Sequence, residues 1–193
     1  MKIPLFPLNT VLYPEGPLPL RIFEPRYLDM ISACLKDNLP FGVVQIRHGS
    51  ETGASESSSV GTLARISDWY QGSDGILGVT AVGGERFRVL TKDRQADGLH
   101  TADVELLPAD EQVALPSEFQ SLVPILDSVL DDLGRLYEDL PRRHDDAAWV
   151  GFRFAEILPI DPKRKQAALE LTDPIRRLQL ISEVLDDVRG VGT

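Results

Sequence analysis

The sequence contains little cysteine and no long apolar run. Cys34 is the only cysteine among 193 residues, so the chain can form neither an internal disulfide bond nor a metal site built from several cysteines. Because Cys34 falls on the apolar side of a predicted helix, we expect it to be buried as a small hydrophobic residue. No apolar run approaches the roughly 18 residues of a membrane span, and residues 1–4 lack the apolar core of a signal peptide. We therefore expect a cytoplasmic protein without a membrane partner.

Positive charge is also scarce. The chain has 20 lysines and arginines against 30 aspartates and glutamates, which gives a formal net charge of −10. Nucleic-acid binding relies on lysine and arginine side chains that neutralise phosphates. The longest basic run, residues 163–165, is short. The composition therefore argues against a nucleic-acid partner.

The sequence lacks the common motifs of enzyme chemistry. It has no Gly-x-x-x-x-Gly-Lys-[Ser/Thr] stretch that could hold a nucleotide phosphate. His48, His100 and His144 are isolated and form no pair with metal-ligand spacing, so we expect them to be surface residues. Acidic pairs such as Asp131 with Asp132 fit solvated helix faces better than catalysis. We expect no catalytic residue, no metal and no cofactor.

What the chain does have is an apolar, proline-rich beginning. Five prolines precede Leu20, namely Pro4, Pro7, Pro14, Pro17 and Pro19. Each proline lacks a backbone N–H and fixes φ, which excludes a helix or a central strand and predicts short extended pieces at a sheet edge. Glu24 and Pro25 then mark the start of a helix, and apolar residues follow at helical spacing as far as Leu35.

In the rest of the chain, the spacing of the apolar residues changes once. Residues 41–107 read as short strands separated by turns, with an exposed loop at residues 48–59. After a linker at residues 108–116 the period becomes 3.6, which predicts a helix from Ser117 that Pro124 distorts only locally, followed by further helices. The predicted fold class is α+β. A small, bent, β-barrel-like subdomain with one inserted helix occupies residues 1–110, and a helical bundle occupies residues 111–193.

Several motifs stand in a fixed order at the start of the chain. They are Pro4-Leu5-Phe6-Pro7-Leu8, Val11-Leu12-Tyr13-Pro14, Leu18-Pro19-Leu20 and Ile22-Phe23-Glu24 with Arg26-Tyr27. Together they resemble the start of the N-terminal substrate-recognition domain of Lon proteases. The resemblance continues through Gly61-Thr62, Asp74-Gly75 and Gly84 with Arg86-Phe87-Arg88, and more weakly to Arg177-Leu178. It therefore covers essentially the whole chain.

The resemblance carries expectations about fold and function. It implies a fold like that of pseudouridine synthase and archaeosine transglycosylase (PUA-like) for the β subdomain. It also implies a role in recognising polypeptide substrates. We expect a stand-alone member of this family, without the ATPase and serine–lysine peptidase parts of full Lon proteases. We expect a non-enzymatic protein, which would need a separate ATPase or protease as partner for unfolding or proteolysis.

One set of candidate residues belongs to the scaffold. It comprises Phe6, Glu24, Arg26, Tyr27, Arg86 and Phe87, all within the motifs of the resemblance. The corner formed by Glu24, Arg26 and Tyr27 could frame a binding groove. Alternatively, Arg26 pairs with Glu24 or another carboxylate while Tyr27 anchors the helix on the sheet. We favour the structural interpretation.

A second set consists of candidate residues for polypeptide binding. It comprises Leu12, Tyr13, Pro14, Trp69 and Tyr70. Adjacent residues of a strand face opposite sides, so one of Trp69 and Tyr70 must point outward, and a turn that contains Leu12, Tyr13 and Pro14 is hard to bury completely. Exposed apolar and aromatic groups on a rigid sheet suit a receptor for unfolded polypeptide. Ordinary core packing is the alternative for each of them.

Three functions remain open from the sequence. The first is a module that binds exposed hydrophobic segments of a client or partner polypeptide. The second is a PUA-like RNA-binding module, which requires a basic groove lined with aromatic residues. The third is a small-ligand receptor or enzyme, for which a cleft containing a titratable group with a strongly shifted pKa would be diagnostic.

Overall fold

The chain folds into two compact units. The computed structural model describes the backbone of residues 1–51 and 55–190 and the side chains of residues 1–51 and 56–186. The first unit is Met1–Pro108 and the second is Ala109–Thr193. In these ranges, no helix is both long enough and apolar enough to cross a lipid bilayer.

The first unit is a bent sheet with one helix. Its described strands are β1 (Lys2–Leu8), β2 (Pro17–Ile22), β3 (Phe41–Gly49), β4 (Ser55–Gln71), β5 (Leu77–Arg94) and β6 (His100–Leu106), and its helix is α1 (Pro25–Asp37). The sheet order is β2-β5-β4-β3-β1-β6, and β5 also pairs with β6. The pairings among β1, β3, β4, β5 and β6 therefore form a closed circuit. The predicted α+β class, with a barrel-like sheet and an inserted helix, is confirmed.

Phe87 fills the inside of this circuit. It is fully buried and packs in a cluster with Ile3, Leu5, Val44, Leu63, Ala102 and Val104. Gly42 and Gly61 lie against its ring, because a Cβ added to either glycine would lie 2.7 Å from Phe87 Cζ. Strands β3 and β4 therefore need glycine at these positions to leave room for the ring.

Helix α1 packs on the opposite face of the sheet. Its buried residues are Tyr27, Met30, Ile31 and Cys34, and they join a second apolar cluster that includes Phe6, Phe41, Val43, Val79 and Ala81. Pro25 occupies the start of the helix, and Asn38 ends it in a left-handed conformation with φ of 50°, as expected for these residue types at helix ends. The predicted helix and the predicted burial of Cys34 are both confirmed.

Strand β1 corrects the prediction that the whole proline-rich beginning lies at a sheet edge. It lies between β3 and β6, but residues 2–5 pair with β6 and residues 5–8 pair with β3. Pro4 and Pro7 therefore each have a paired strand on one side only, which is the situation of an edge strand. Strand β2, which carries Pro17 and Pro19, is an edge strand as predicted.

Strands β3 and β4 are longer than predicted. The expected loop at residues 48–59 is wrong in its bounds, because β3 continues to Gly49 and β4 begins at Ser55, with Gly49 opposite Ser55. Backbone pairing does not require apolar side chains, so the polar composition of this stretch was misleading. Residues 52–54 of the predicted loop lie outside the described residues.

The second unit is helical. Its described helices are α2 (Leu122–Asp132), α3 (Ala147–Ile157), α4 (Pro162–Glu170) and α5 (Pro174–Gly190), and α3 contacts the other three. The prediction of an α-helix from Ser117 is wrong, because a 3₁₀ turn covers Ser117–Phe119 and α2 starts at Leu122. Pro124 is then the third residue of α2. The first four N–H groups of a helix have no partner within the helix, so proline at this position removes no helical hydrogen bond.

Candidate functional site

Trp69 and Tyr70 form an exposed aromatic pair near the end of the hairpin of β4 and β5. Their exposed fractions are 60% and 52%, and as neighbours on a strand they face opposite sides of the sheet. The Tyr70 ring lies over Gly78 of β5, where an added Cβ would lie 2.6 Å from Tyr70 Cε2. Arg21 of β2 forms an ion pair with Asp74 in the turn of the hairpin. We call residues 65–76, which include Trp69 and Tyr70, the aromatic tip.

The aromatic tip extends past the closed circuit of strands. Strand β3 pairs with β4 only as far as Ala64, whereas β5 pairs with β4 as far as Gln71. Within the described part of the chain, residues 65–71 therefore have a neighbouring strand on one side only. This position explains why both aromatic rings are exposed, although alternation required only one of them to point outward.

The edges of the aromatic tip are poorly suited to pairing with another strand. The N–H of Trp69 donates to Asp68 Oδ1 at 2.8 Å, so one edge donor already has an acceptor. At the other edge of this part of the sheet, Pro17 and Pro19 of β2 have no N–H to donate. The tip can therefore contact a polypeptide through its aromatic side chains more readily than by adding a β-strand.

For Leu12 and Tyr13 the structure supports the alternative of core packing and contradicts their place among the candidate binding residues. Their exposed fractions are 2% and 0%, and Pro14 is partly buried. The turn is fixed by backbone hydrogen bonds, because Gly16 N donates to Tyr13 O and Thr62 Oγ1 donates to Leu12 O. A turn can thus be buried when its carbonyl groups find donors in the sheet. Leu12 and Tyr13 offer no surface to a client.

Glu24, Arg26 and Tyr27 form a corner that ties α1 to the sheet. Arg26 Nη2 lies 2.8 Å from Glu24 Oε2, and Arg26 Nη1 donates to Gly98 O at 3.0 Å. The Arg26 guanidinium lies 4.8 Å from the centre of the Tyr27 ring, which packs 4.1 Å from the Phe6 ring. Burial raises the pKa of Tyr27, and the positive charge of Arg26 opposes this shift. These contacts are those of a structural anchor.

We expect replacement of Arg26 by alanine to lower the free energy of unfolding by about 1–3 kcal/mol, because it removes a largely buried ion pair and the bond to Gly98 O. The free energy of client binding should fall by less than the free energy of unfolding does. The control is Arg88→Ala, since Arg88 is exposed and lies 3.9 Å from Glu105. Urea titration and a client-binding isotherm measure the two effects. Loss of binding at unchanged stability would show that the corner is a contact site.

Arg86 and Phe87 also belong to the scaffold. Phe87 occupies the inside of the strand circuit, and the Arg86 side chain is buried with Nη2 3.4 Å from Pro108 O. The backbone carbonyl of Arg86 accepts a bond from Leu107 N. These contacts hold the end of β6 on β5.

The first unit also contains a large apolar groove beside α1. It has a volume of about 530 Å³ and is lined by residues of α1, of the start of β1, of the segment after α1 and of the turn between β5 and β6. Met30, Cys34 and Leu99 are buried side chains in its wall, and Met1 and Leu39 are exposed at it. We call it the α1 groove. Its volume lies within the range of small-molecule and cofactor pockets.

A carboxyl group with a strongly raised pKa lies in the second unit. Burial raises the pKa of Glu156 to about 7, although Arg153 and Lys165 favour its charged form. Arg153 Nε lies 3.0 Å from Glu156 Oε2, and Lys165 Nζ donates to the Glu156 carbonyl. Glu156 is not among the residues that line the α1 groove. Glu156 therefore does not supply a strongly shifted carboxyl group to this groove.

No pattern in the sequence indicates the α1 groove. Its wall combines residues near positions 1, 30, 39 and 97, and no pattern in one segment shows that these four segments meet. Asp29 and Ala33 read as ordinary exposed helix positions. The groove depends on the closure of β1 onto β6, which only the tertiary structure shows.

Comparison with known proteins gives consistent matches along the chain. A sequence model of the substrate-binding domain of the ATP-dependent protease La (Lon) matches residues 2–187. Lon protease 2 of Myxococcus xanthus is 26% identical over 197 residues, which cover 98% of this chain and 24% of that protein. Protein cereblon of Xenopus tropicalis is 33% identical over 125 residues, covering 63% of this chain and 26% of that protein. The chain thus spans about a quarter of the length of these relatives.

Two solved structures are also similar. The Lon N-terminal domain protein from Xanthomonas campestris is 34% identical with a TM-score of 0.75, and the match covers 95% of this chain and 98% of that one. The N-terminal domain of Mycobacterium avium complex Lon protease is 15% identical with a TM-score of 0.63, and the match covers 95% and 97%. The second likeness concerns the fold alone.

Proposed function

The chain belongs to the family of Lon substrate-binding domains, and we propose that it binds polypeptides that expose apolar side chains. The observation that carries this proposal is the aromatic tip. Trp69 and Tyr70 are both more than half exposed on a hairpin that extends past the strand circuit. Large aromatic side chains supply much of the binding energy at protein interfaces, because they bury a large area and lose few rotamers.

The electrostatics favour a protein client over a nucleic acid. A net charge of −10 repels phosphate groups, and the aromatic tip carries the acidic residues Asp68 and Asp74 in addition to Arg65. The same charge keeps a protein with exposed aromatic rings soluble. We propose that a bound client is passed to a Lon-type ATPase and protease, since the matched Lon proteases are about four times as long as this chain.

We expect the protein to bind a permanently unfolded, labelled polypeptide saturably, with a dissociation constant in the micromolar range. The same polypeptide in its native fold should bind much more weakly, since its apolar side chains are buried. Fluorescence anisotropy measures both isotherms, and labelled single-stranded RNA is the third probe. Equal affinity for the folded and unfolded forms would contradict the proposal. Salt-dependent binding of RNA alone would replace it with RNA recognition.

A further inference from the structure

The α1 groove has an apolar floor and an open side. Ile3, Met30, Cys34 and Leu99 are buried and contribute to its wall. Ala33 is an exposed residue of α1 at the same groove. The only cysteine of the chain is thus part of a binding-sized cavity, and burial raises the pKa of its thiol, so the cysteine supplies apolar surface here and not a nucleophile.

Among the described residues that line the groove, the cationic side chains have carboxylate partners and the acidic ones have no cationic partner. Two of the lining residues are cationic, and both are paired with carboxylates outside the lining: Lys2 Nζ lies 3.3 Å from Asp93 Oδ2, and Arg26 Nη2 lies 2.8 Å from Glu24 Oε2. The two acidic lining residues are Asp29 and Asp97. Across the side chains that the structure describes, neither forms an ion pair, and Asp97 Oδ1 only accepts a bond from Leu99 N. The lining therefore presents two carboxylates without cationic partners.

We propose that the α1 groove is a client-contact site that binds an apolar polypeptide segment flanked by lysine or arginine. This inference rests on the proposed function and specifies the class of client. The apolar wall accepts the apolar side chains of the segment, and Asp29 and Asp97 attract the basic residues that flank it. The choice of a basic partner follows from charge complementarity at the rim and agrees with the net charge of the whole chain.

The first test is steric and places a large side chain of α1 in the groove. The probe is a labelled peptide with a Leu-Phe-Val-Leu core between pairs of lysines, followed by fluorescence anisotropy. Ala33→Trp should weaken its binding by about tenfold or more, because the indole would occupy the space that the apolar core needs. The matched control is Ser32→Trp, since Ser32 is the exposed neighbouring residue on α1 and does not line the groove. The control should bind like the wild-type protein.

The electrostatic test changes the rim without changing its shape. Asp29→Asn and Asp97→Asn should each weaken binding of the lysine-flanked peptide about threefold at low salt and less at high salt. Asparagine at position 97 keeps an oxygen that can accept the bond from Leu99 N. A peptide with the same core and glutamine flanks should not distinguish these variants from the wild type. A glutamate-flanked peptide that binds as well as the lysine-flanked one would overturn the charge assignment.

The outcomes separate this inference from the proposed function. If Ala33→Trp binds both the peptide and the unfolded polypeptide like the wild type, the groove inference fails while the proposed function stands. If the wild type binds neither probe, both fail. If the wild type binds anilinonaphthalene sulfonate in the groove but not the peptide, the groove is a small-ligand site and the inference is overturned. Loss of peptide binding in Ala33→Trp but not in Ser32→Trp supports it.

Discussion

The protein with Arg177 replaced by alanine is expected to lose about 3–5 kcal/mol from the free energy of unfolding of its second unit, as is typical when one partner of a buried ion pair is removed. Arg177 is fully buried, and its Nη1 donates to Asp110 Oδ2 at 2.6 Å. Its Nε donates to Ala168 O at 2.8 Å, and its guanidinium lies 3.7 Å from the centre of the Phe152 ring. The variant leaves the Asp110 carboxylate buried without this partner.

The measurement is a urea titration followed by tryptophan fluorescence. In a Trp69→Phe background, Trp149 of the second unit is the only tryptophan, so its emission reports that unit. Arg176→Ala is the matched control, since Arg176 is exposed and its ion pair with Asp173 is long at 3.7 Å. We expect the control to change stability by about 0.5 kcal/mol or less. If the two variants have equal stability, the buried pair does not hold the second unit together.

The second large effect is expected for Gly61→Ala, which should destabilise the first unit by about 1–3 kcal/mol or more through overpacking. The added Cβ would lie 2.7 Å from Phe87 Cζ and 2.8 Å from Val44 Cγ1, and nearer still to the carbonyl oxygen of Val43. A side chain can rotate away, but the Val43 carbonyl belongs to the paired strand β3 and cannot move without breaking register.

Thermal unfolding followed by circular dichroism measures this effect. The control is Gly84→Ala, because the nearest atoms to a Cβ at Gly84 are Leu63 O and Cβ at 3.6 and 3.7 Å, which is ordinary contact. The control variant should unfold within a few degrees of the wild-type protein. A Gly61→Ala variant as stable as the control would mean that the ring of Phe87 does not fill the strand circuit.

The parts of the fold that depend on local chemistry could be predicted from the sequence. Pro25 begins α1, and Asp146, Asp161 and Asp173 accept bonds from the first N–H groups of α3, α4 and α5. Such signals act within one turn of a helix. Strand register and strand pairing were harder to predict, because the position of β1 between two strands depends on where each neighbouring strand begins and ends. No pattern within β1 records that information.

The candidate site could likewise be predicted from the sequence only in part. Strand alternation predicts that one of Trp69 and Tyr70 points outward, but the exposure of both follows from the end of β3 pairing at Ala64. The burial of Tyr13 depends on a distant glycine, since Gly83 lies against the Tyr13 carbonyl and leaves no room for a Cβ. Contacts between residues about 70 positions apart in sequence cannot be inferred from a turn motif alone.

The most direct test of the account is the binding of unfolded polypeptide by the double variant Trp69→Ala with Tyr70→Ala. Its isotherm is compared with those of the wild type and of Leu90→Ala, which removes an exposed apolar side chain elsewhere on β5. Because few residues carry most of the energy of an interface, we expect the double variant to bind about tenfold more weakly or worse, and Leu90→Ala to bind like the wild type. Unchanged affinity in a double variant whose circular dichroism and unfolding match those of the wild type would contradict the claim that the aromatic tip recognises clients.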